Sequence, residues 1–297
     1  MIFGNLAYRL PTQVHGALRI EKRDARTAGW AEIRSRISRM ILQSGNVLGV
    51  KVHAVNLPRA VEVIEHLIQE GSRAYICLAP AHSIMECHRD PELRRIFNDS
   101  ALVTPDGMSI AWILRLQSHM QVGRVYGPDL MRAVLGDPRT SRFRHFLFGS
   151  TDRVLSRLKE QLVHDYPGSR IAGSLAPPYL PVADLQDQTL FDQINDANPE
   201  IVWVGLGSPK QERWMAAHRN RLTAPVLIGV GAAFDFLSGA KAQAPRWMQR
   251  AGLEWLFRLA TEPRRLWPRY RQYPLFVLLV LAQFLGLRND SVAQSGS

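Results

Sequence analysis

The sequence predicts an α/β fold, a mostly parallel sheet flanked by helices, and three observations carry that expectation. Short β-rich runs recur along the middle of the chain, helical stretches separate most of them, and the composition supports a buried core. The strands are expected at VLGVKV (47–52), AYICL (74–78), ALV (101–103), HFLFG (145–149), SRIAG (169–173), IVWVG (201–205) and VLIGV (226–230). The helices between them include PRAVEVIEHLIQE, TDRVLSRLKEQLVHDY and PKQERWMAAHRNRL. At 297 residues, 46% hydrophobic and 21% charged, the chain has the make-up of a folded protein of one large domain or two modest ones. Ligands of such Rossmann-like sheets bind beyond the carboxyl ends of the strands, so the residues that follow each strand are where chemistry is expected.

Charge divides the chain. Residues 1–45 hold eight Lys/Arg against three acids, residues 46–240 hold twenty of each, and residues 241–288 hold nine Lys/Arg against two acids. The net charge of +11 thus sits on two flanks around a neutral body. A nucleic-acid enzyme would carry basic residues over its working surface, so no nucleic-acid partner is expected; basic flanks with apolar neighbours fit an anionic membrane surface. Four segments follow: a basic N-terminal extension (1–45), an α/β domain (46–250), a helical, membrane-associating C-terminal appendage (251–288) and a disordered tail (289–297). In the extension, AGWAEIRSRISRMILQ (28–43) suits a helix with Trp30, Ile33, Ile37, Met40 and Ile41 on one side. Two cysteines, Cys77 and Cys87, without zinc-ligand spacing, point to a reducing compartment. The first residues lack the apolar stretch of a secretory signal, so the protein is expected in the cytoplasm.

Three strand ends carry candidate chemistry. After ALV, Asp106 lies in a Pro-Asp-Gly turn that opens a helix; a simple turn or helix cap is the alternative. After HFLFG, Gly149 and Ser150 lead into a helix whose free N–H groups suit a phosphate, with a capped helix start as the alternative. After IVWVG, Gly205 and Gly207 precede Ser208-Pro209, and Lys210, Gln211 and Glu212 fall in the first helical turn. Lys210 suits phosphate, Gln211 a base or ribose, and Glu212 a hydroxyl or a neighbouring side chain. A dinucleotide fingerprint would need glycine where Lys210 stands, and no GxxxxGK[ST] loop occurs.

The C-terminal segment combines RRLWPRYRQY (264–273) with the apolar run PLFVLLVLAQFLGL (274–287). As a helix that run spans ~21 Å, short of the ~30 Å hydrocarbon core, so it suits attachment in the membrane interface and not a crossing. Packing against the core or in a homo-oligomer interface is the alternative.

The motifs TPDGMS (104–109), RVYGPDLM (124–131), GLGSPKQERWM (205–215), GVGAAFDFLSG (229–239) and APRWMQRAGLEWLFRLATEPRRLWPRY (244–270) together resemble the WecG/TagA/CpsF glycosyltransferase family, in order and over residues 46–271. The resemblance implies inverting transfer of N-acetylmannosamine, its uronic acid or glucose from a UDP-sugar donor to a polyprenyl-diphosphate-linked acceptor, on the inner face of the cell membrane. It implies Asp106 as the catalytic base and Lys210, Gln211 and Glu212 as the residues that hold UDP. Gly149, Gly205 and Gly207 are read from their strand ends as donor-binding, and Asp235 either contacts the donor sugar or caps the following turn. Arg124, Arg264, Arg265 and Arg269 are implied at the diphosphate or acceptor. Without an Asp-x-Asp pair, no metal and no other cofactor is expected, with arginine, lysine and backbone N–H groups neutralising the diphosphate. One departure stands out. Family members often carry Thr-x-Asn after the second strand, where this chain has Leu78-Ala79-Pro80, leaving His82 or Ser83 to replace those contacts or merely to start a helix. A nucleotide-cofactor-dependent oxidoreductase and a non-catalytic basic binding protein are the rival classes.

Overall fold

The computed structural model describes residues 42–288 and 290–292. The helix expected at 28–43 lies outside the described residues except for its last two positions, as does most of the tail expected at 289–297. The run at 47–52 departs from the expectation of a single strand. It is a hairpin of β1 (Ser44–Val47) and β2 (Val50–His53), antiparallel and separate from the main sheet. The turn residues Leu48 and Gly49 have φ of 50° and 87°, the left-handed pair that a two-residue hairpin loop needs. Leucine is disfavoured there, which hides the turn from a sequence reader. Tertiary contacts hold it: Leu48 is fully buried, and its N–H donates to Gln283 Oε1 at 3.0 Å.

The main sheet has six strands: β3 (Ala74–Ala79), β4 (Leu102–Pro105), β5 (Arg144–Gly149), β6 (Arg170–Leu175), β7 (Ile201–Gly205) and β8 (Val226–Gly229). Their order is β4-β3-β8-β7-β5-β6, and every pairing is parallel. Period-two alternation divides the strand side chains between two cores. Tyr75, Cys77 and Ala79 of β3 enter one, with Phe146, Phe148, Val202 and Val204; Ala74, Ile76 and Leu78 enter the other, with Leu147, Ile201 and Trp203. Both faces are therefore apolar along each central strand, as a sheet covered on two sides requires. Trp203 is fully buried, and its indole N–H is satisfied by His145 Nδ1 at 3.2 Å. The edge strand β4 is covered by the hairpin, where Val103 donates its backbone N–H to His53 Nδ1 at 2.9 Å.

The second core is closed by α1 (Leu57–Gln69) and further helices introduced below. Asn56 caps α1 by accepting from the Arg59 N–H, Pro58 stands in its first turn, and Ala60, Val61, Ile64, Leu67 and Ile68 line one buried side. The first core is covered by α2 (Ala81–Arg89), α3 (Pro91–Asp99) and α4 (Met108–Leu116). Next come α5 (Gly127–Gly136) and α6 (Asp152–Asp165) on the second face, then α7 (Gln188–Asp196) and α8 (Lys210–His218) on the first, and the short α9 (Ala233–Leu237) back on the second. Trp214 of α8 is fully buried and stacks on Phe148 with ring centroids 4.3 Å apart.

Four helices follow: α10 (Arg246–Arg250), α11 (Glu254–Thr261), α12 (Pro263–Tyr270) and α13 (Tyr273–Phe284). They fold back on the α/β body. Phe276 and Val280 of α13 join the first core, whereas Leu275, Val277, Leu278, Leu281 and Phe284 are exposed. Gln283, the polar exception in this apolar run, anchors the helix to the hairpin: its Nε2 donates to Asn46 O at 2.9 Å while its Oε1 takes the Leu48 N–H. No helix among the described residues is long and apolar enough to cross a membrane.

Candidate active site

All the loops that follow β3, β4, β5, β7 and β8 meet at one edge of the sheet, where two cavities adjoin. The first, of about 480 Å³, is lined mostly by strand ends, including Gly205, Gly207, Ser208, Lys210 and the loop from Gly229 to Phe236. The second, of about 740 Å³, is lined by the appendage and α4, with Trp112, Trp255, Trp267, Tyr270, Tyr273 and Phe276 among its walls. Pro80, His82, Asp106, Tyr126 and Arg258 line both.

Asp106 owes its place to the turn after β4. Gly107 has φ of 118°, which a side chain would oppose, and it occupies the cap position of α4. Asp106 therefore does not cap the helix, and its carboxylate has no hydrogen-bond or ion-pair partner among the described residues. Burial pushes its pKa up to about 7, opposed by the nearby Arg124 guanidinium and assisted by Glu254. The Val125 N–H donates to Pro105 O at 2.9 Å and lays the 124–126 segment beside the carboxylate. Arg124 pairs with Glu254 at 2.5 Å and lies over the Tyr126 ring at 4.0 Å. It lines the apolar cavity and not the polar one, locked to the appendage in a largely buried ion pair.

The glycines at the strand ends divide in role. Gly149 is not among the residues that line the cavity. A Cβ there would stand 2.6 Å from the Gly205 carbonyl carbon, so Gly149, with φ of 125°, is what lets β5 and β7 close together at their ends. Its neighbour Ser150 reaches the cavity, and Thr151 caps α6 by accepting from the Val154 N–H, so the capped-helix alternative describes this loop. Gly205 and Gly207 do line the cavity. A Cβ on Gly205 would come within 2.6 Å of the Phe234 ring, and Gly207 has φ of 80° with open space before it.

Lys210 lines the cavity with its Nζ 5.2 Å from the centre of the fully exposed Tyr179 ring. Gln211 and Glu212 are buried, at 3% and 0% exposure, and much of their capacity is internal. Gln211 Oε1 accepts the Gly231 N–H at 2.9 Å and its Nε2 donates to Glu212 Oε1 at 2.9 Å, so Gln211 props the loop after β8. Burial raises the Glu212 pKa to about 7, and its Oε2 has no partner among the described residues. Asp235 also lines the cavity, with its carboxylate 3.0 Å from Lys241; Lys241 reaches Glu262 at 3.2 Å and Glu262 pairs with Arg265 at 2.6 Å. This chain of charges ties the loop after β8 to α12.

Of the appendage arginines, Arg265 and Arg269 line the polar cavity, and Arg269 donates to Ser208 O at 2.9 Å. Arg264 is exposed and lines neither cavity, because it precedes Arg265 on α12 and turns outward. Arg258, which sequence reasoning passed over, lines both. Its signal was an arginine within the otherwise apolar WLFRLA turn, spaced with Trp255 and Leu259 on one helix face. Tyr126 was passed over too. His82 faces both cavities and Ser83 is buried with its Oγ 3.1 Å from Ser208 Oγ; neither caps α2, whose cap position is Pro80. Among the described residues no group of three or more His, Cys, Asp or Glu side chains gathers as a metal site. Both cysteines are free and buried.

Two unlike chambers meeting at one carboxylate suit a transferase that brings a polar and an apolar substrate together. Comparison with known proteins agrees. The model of the Glycosyl transferase WecG/TagA/CpsF family matches residues 45–290, and the chain belongs to this family and is a glycosyltransferase. A Bacillus subtilis protein named N-acetylglucosaminyldiphosphoundecaprenol N-acetyl-beta-D-mannosaminyltransferase is 32% identical over 230 residues, 77% of this chain and 87% of the relative. Proteins of the same name from Bacillus spizizenii (28% identical, 72% of this chain, 81% of the relative) and Staphylococcus aureus (25%, 78% and 90%) are also similar. Membership sets aside the oxidoreductase and the non-catalytic binding protein. The match also spans the residues of α10 to α13.

Proposed function

We propose that this glycosyltransferase moves a sugar from a UDP-sugar to a polyprenyl-diphosphate-linked sugar, with inversion at the anomeric carbon and Asp106 as base. The observation that carries the reading is the place of Asp106 in the wall common to a polar and an apolar cavity. The polar chamber takes UDP: Lys210, Arg265, Arg269 and the backbone around Gly205 to Ser208 offer positive charge and N–H groups to the diphosphate. The apolar chamber takes the lipid-linked acceptor, its aromatic walls leading to the exposed side of α13. Names of the similar proteins favour N-acetylmannosamine as the sugar moved and undecaprenyl-diphosphate N-acetylglucosamine as the acceptor.

In the reaction, Asp106 takes the proton of the acceptor hydroxyl as its oxygen attacks C1. The bond from C1 to the UDP oxygen breaks on the opposite side, and UDP leaves with the bonding electrons. A carboxyl group with a pKa near 7 is matched to this task, being ionised in a useful fraction while still basic. Arginines and the lysine take up the charge on UDP, so no metal is required. The protein rests on the anionic inner face of the cell membrane, with Trp267, Leu278 and Leu281 turned outward and Arg264 and Arg271 beside them.

The test is acceptor-dependent UDP release from a panel of UDP-sugars, comparing wild type with Asp106→Asn in EDTA. Release that survives EDTA and falls by ~10²–10⁴-fold in the variant supports the reading. Equal release from both proteins removes Asp106 from the mechanism.

A further inference from the structure

The mechanism above gives His82, at the junction of the chambers, no task. His82 stands in the first turn of α2, directly beyond β3, and lines both cavities. Neither ring nitrogen has a hydrogen-bond partner among the described residues, and it caps no helix. Burial, with Arg269 and Arg258 nearby, lowers its pKa to about 3, so the ring is neutral wherever the enzyme works. A neutral imidazole offers one N–H donor and one lone-pair acceptor.

The other residues common to both cavities lack that pairing at an open surface. Pro80 has no polar side chain, Arg258 only donates, and Asp106 is committed to the acceptor proton. The Tyr126 hydroxyl is sealed from solvent. In-line transfer puts C1 of the donor sugar within reach of both Asp106 and the acceptor hydroxyl, so the sugar ring has to lie at this junction. A sugar ring presents hydroxyl or N-acetyl groups that both donate and accept.

We propose that His82 reads the transferred sugar, hydrogen-bonding a ring hydroxyl or N-acetyl group, and so sets which UDP-sugar is accepted. This rests on the UDP-sugar transferase reading and names the specificity contact within it. A site built to pair with such a group rejects a sugar that lacks it, because the imidazole would then stay desolvated and unpaired.

The experiment uses the full chain with undecaprenyl-diphosphate N-acetylglucosamine and three donors: UDP-N-acetylmannosamine, UDP-N-acetylglucosamine and UDP-glucose. His82→Phe keeps a ring without hydrogen bonds, and His82→Gln keeps a donor and an acceptor. Titration calorimetry gives UDP affinity for each protein, and thermal melting checks the fold. The Phe variant is expected to lose about tenfold or more in kcat/KM on the preferred donor, with UDP affinity within about twofold of wild type. The Gln variant should recover part of that loss and change the ratio of kcat/KM between donors. Should the Phe variant not fold, the donor ratio of the Gln variant decides. Unchanged donor ratios in every folded variant would overturn the role of His82 while leaving the transferase reading standing. No transfer by wild type from any of these donors would bring down the proposed UDP-sugar reaction, and this proposal with it.

Discussion

The two chambers are made in different ways. The polar one is built by backbone: strand ends of one sheet, glycines that admit close approach, and a buried Gln211 that props the opposite loop. The apolar one is built by side chains on helices, with aromatic residues of α11, α12 and α13 laid over α4. The strand ends are fixed by the sheet, in which β3, β5, β7 and β8 are each paired on both sides. The appendage is held by a handful of links, among them Arg124 to Glu254, Arg269 to Ser208 and Gln283 to the hairpin. In the proposed function, fixed geometry would serve the nucleotide and the appendage the lipid. Arg258 belongs to both, as the one arginine among the described residues that lines each chamber.

Arg258→Ala is the change that most directly breaks the division. Removal of a charged donor from the common wall should lower kcat/KM by ~10–100-fold with both substrates affected, whereas Arg265→Ala should weaken UDP alone. Equal effects of the two substitutions on both substrates would erase the distinction between chambers.

The pH dependence of the shared carboxylate gives the next largest effect. With Asp106 at about 7, kcat/KM should fall roughly tenfold per pH unit below that value and level off above it. Stability should run the other way. The folded carboxyl holds its proton more tightly than the unfolded one, whose ordinary value is 3.8, so its contribution is complete below pH 3.8 and is lost as pH rises towards 7. Asp106→Asn should therefore melt above wild type at pH 8, by about 1–3 kcal/mol, with the gap closing near pH 4. A constant gap across that range would mean that burial does not control this group.

Gly149→Ala tests whether the polar chamber depends on backbone contact. Its Cβ has no room against Gly205, and its φ is unfavourable for alanine, so a loss of about 1–3 kcal/mol in chemical denaturation is expected. The smallest effect on folding belongs to the appendage surface. Leu278→Glu lies at 63% exposure and should change stability by no more than about 0.5 kcal/mol. Flotation with anionic vesicles should nevertheless drop. Undiminished flotation would leave α13 as a packing element with no membrane role.

Much of the site was legible in the chain. Asp106, Gly205, Gly207, Lys210 and Asp235 all line the polar cavity, since each follows a readable strand and strand ends of a parallel sheet gather at one edge. What sequence did not show has a common origin. Gly149 reads like Gly205 in sequence, yet one meets a neighbouring backbone and the other the cavity. Gln211 lines the polar cavity as well, but sequence does not show that its side chain also hydrogen-bonds Glu212 and the Gly231 N–H. The hairpin at Leu48-Gly49 has no turn signature, because a distant glutamine and core packing hold it.

By itself the sequence determined the layered α/β body, since period-two runs and amphipathic helices leave few other ways to bury their apolar sides. It also determined that α13 is too short to cross a bilayer, a matter of length alone. Only the tertiary structure decided that positions 82, 106, 126 and 258 share one wall, and that Arg264 faces away while Arg265 and Arg269 face in. Those choices depend on how the appendage docks. Docking is set by contacts between segments far apart in sequence, such as Arg124 with Glu254 and Gln283 with Asn46, which no local pattern records.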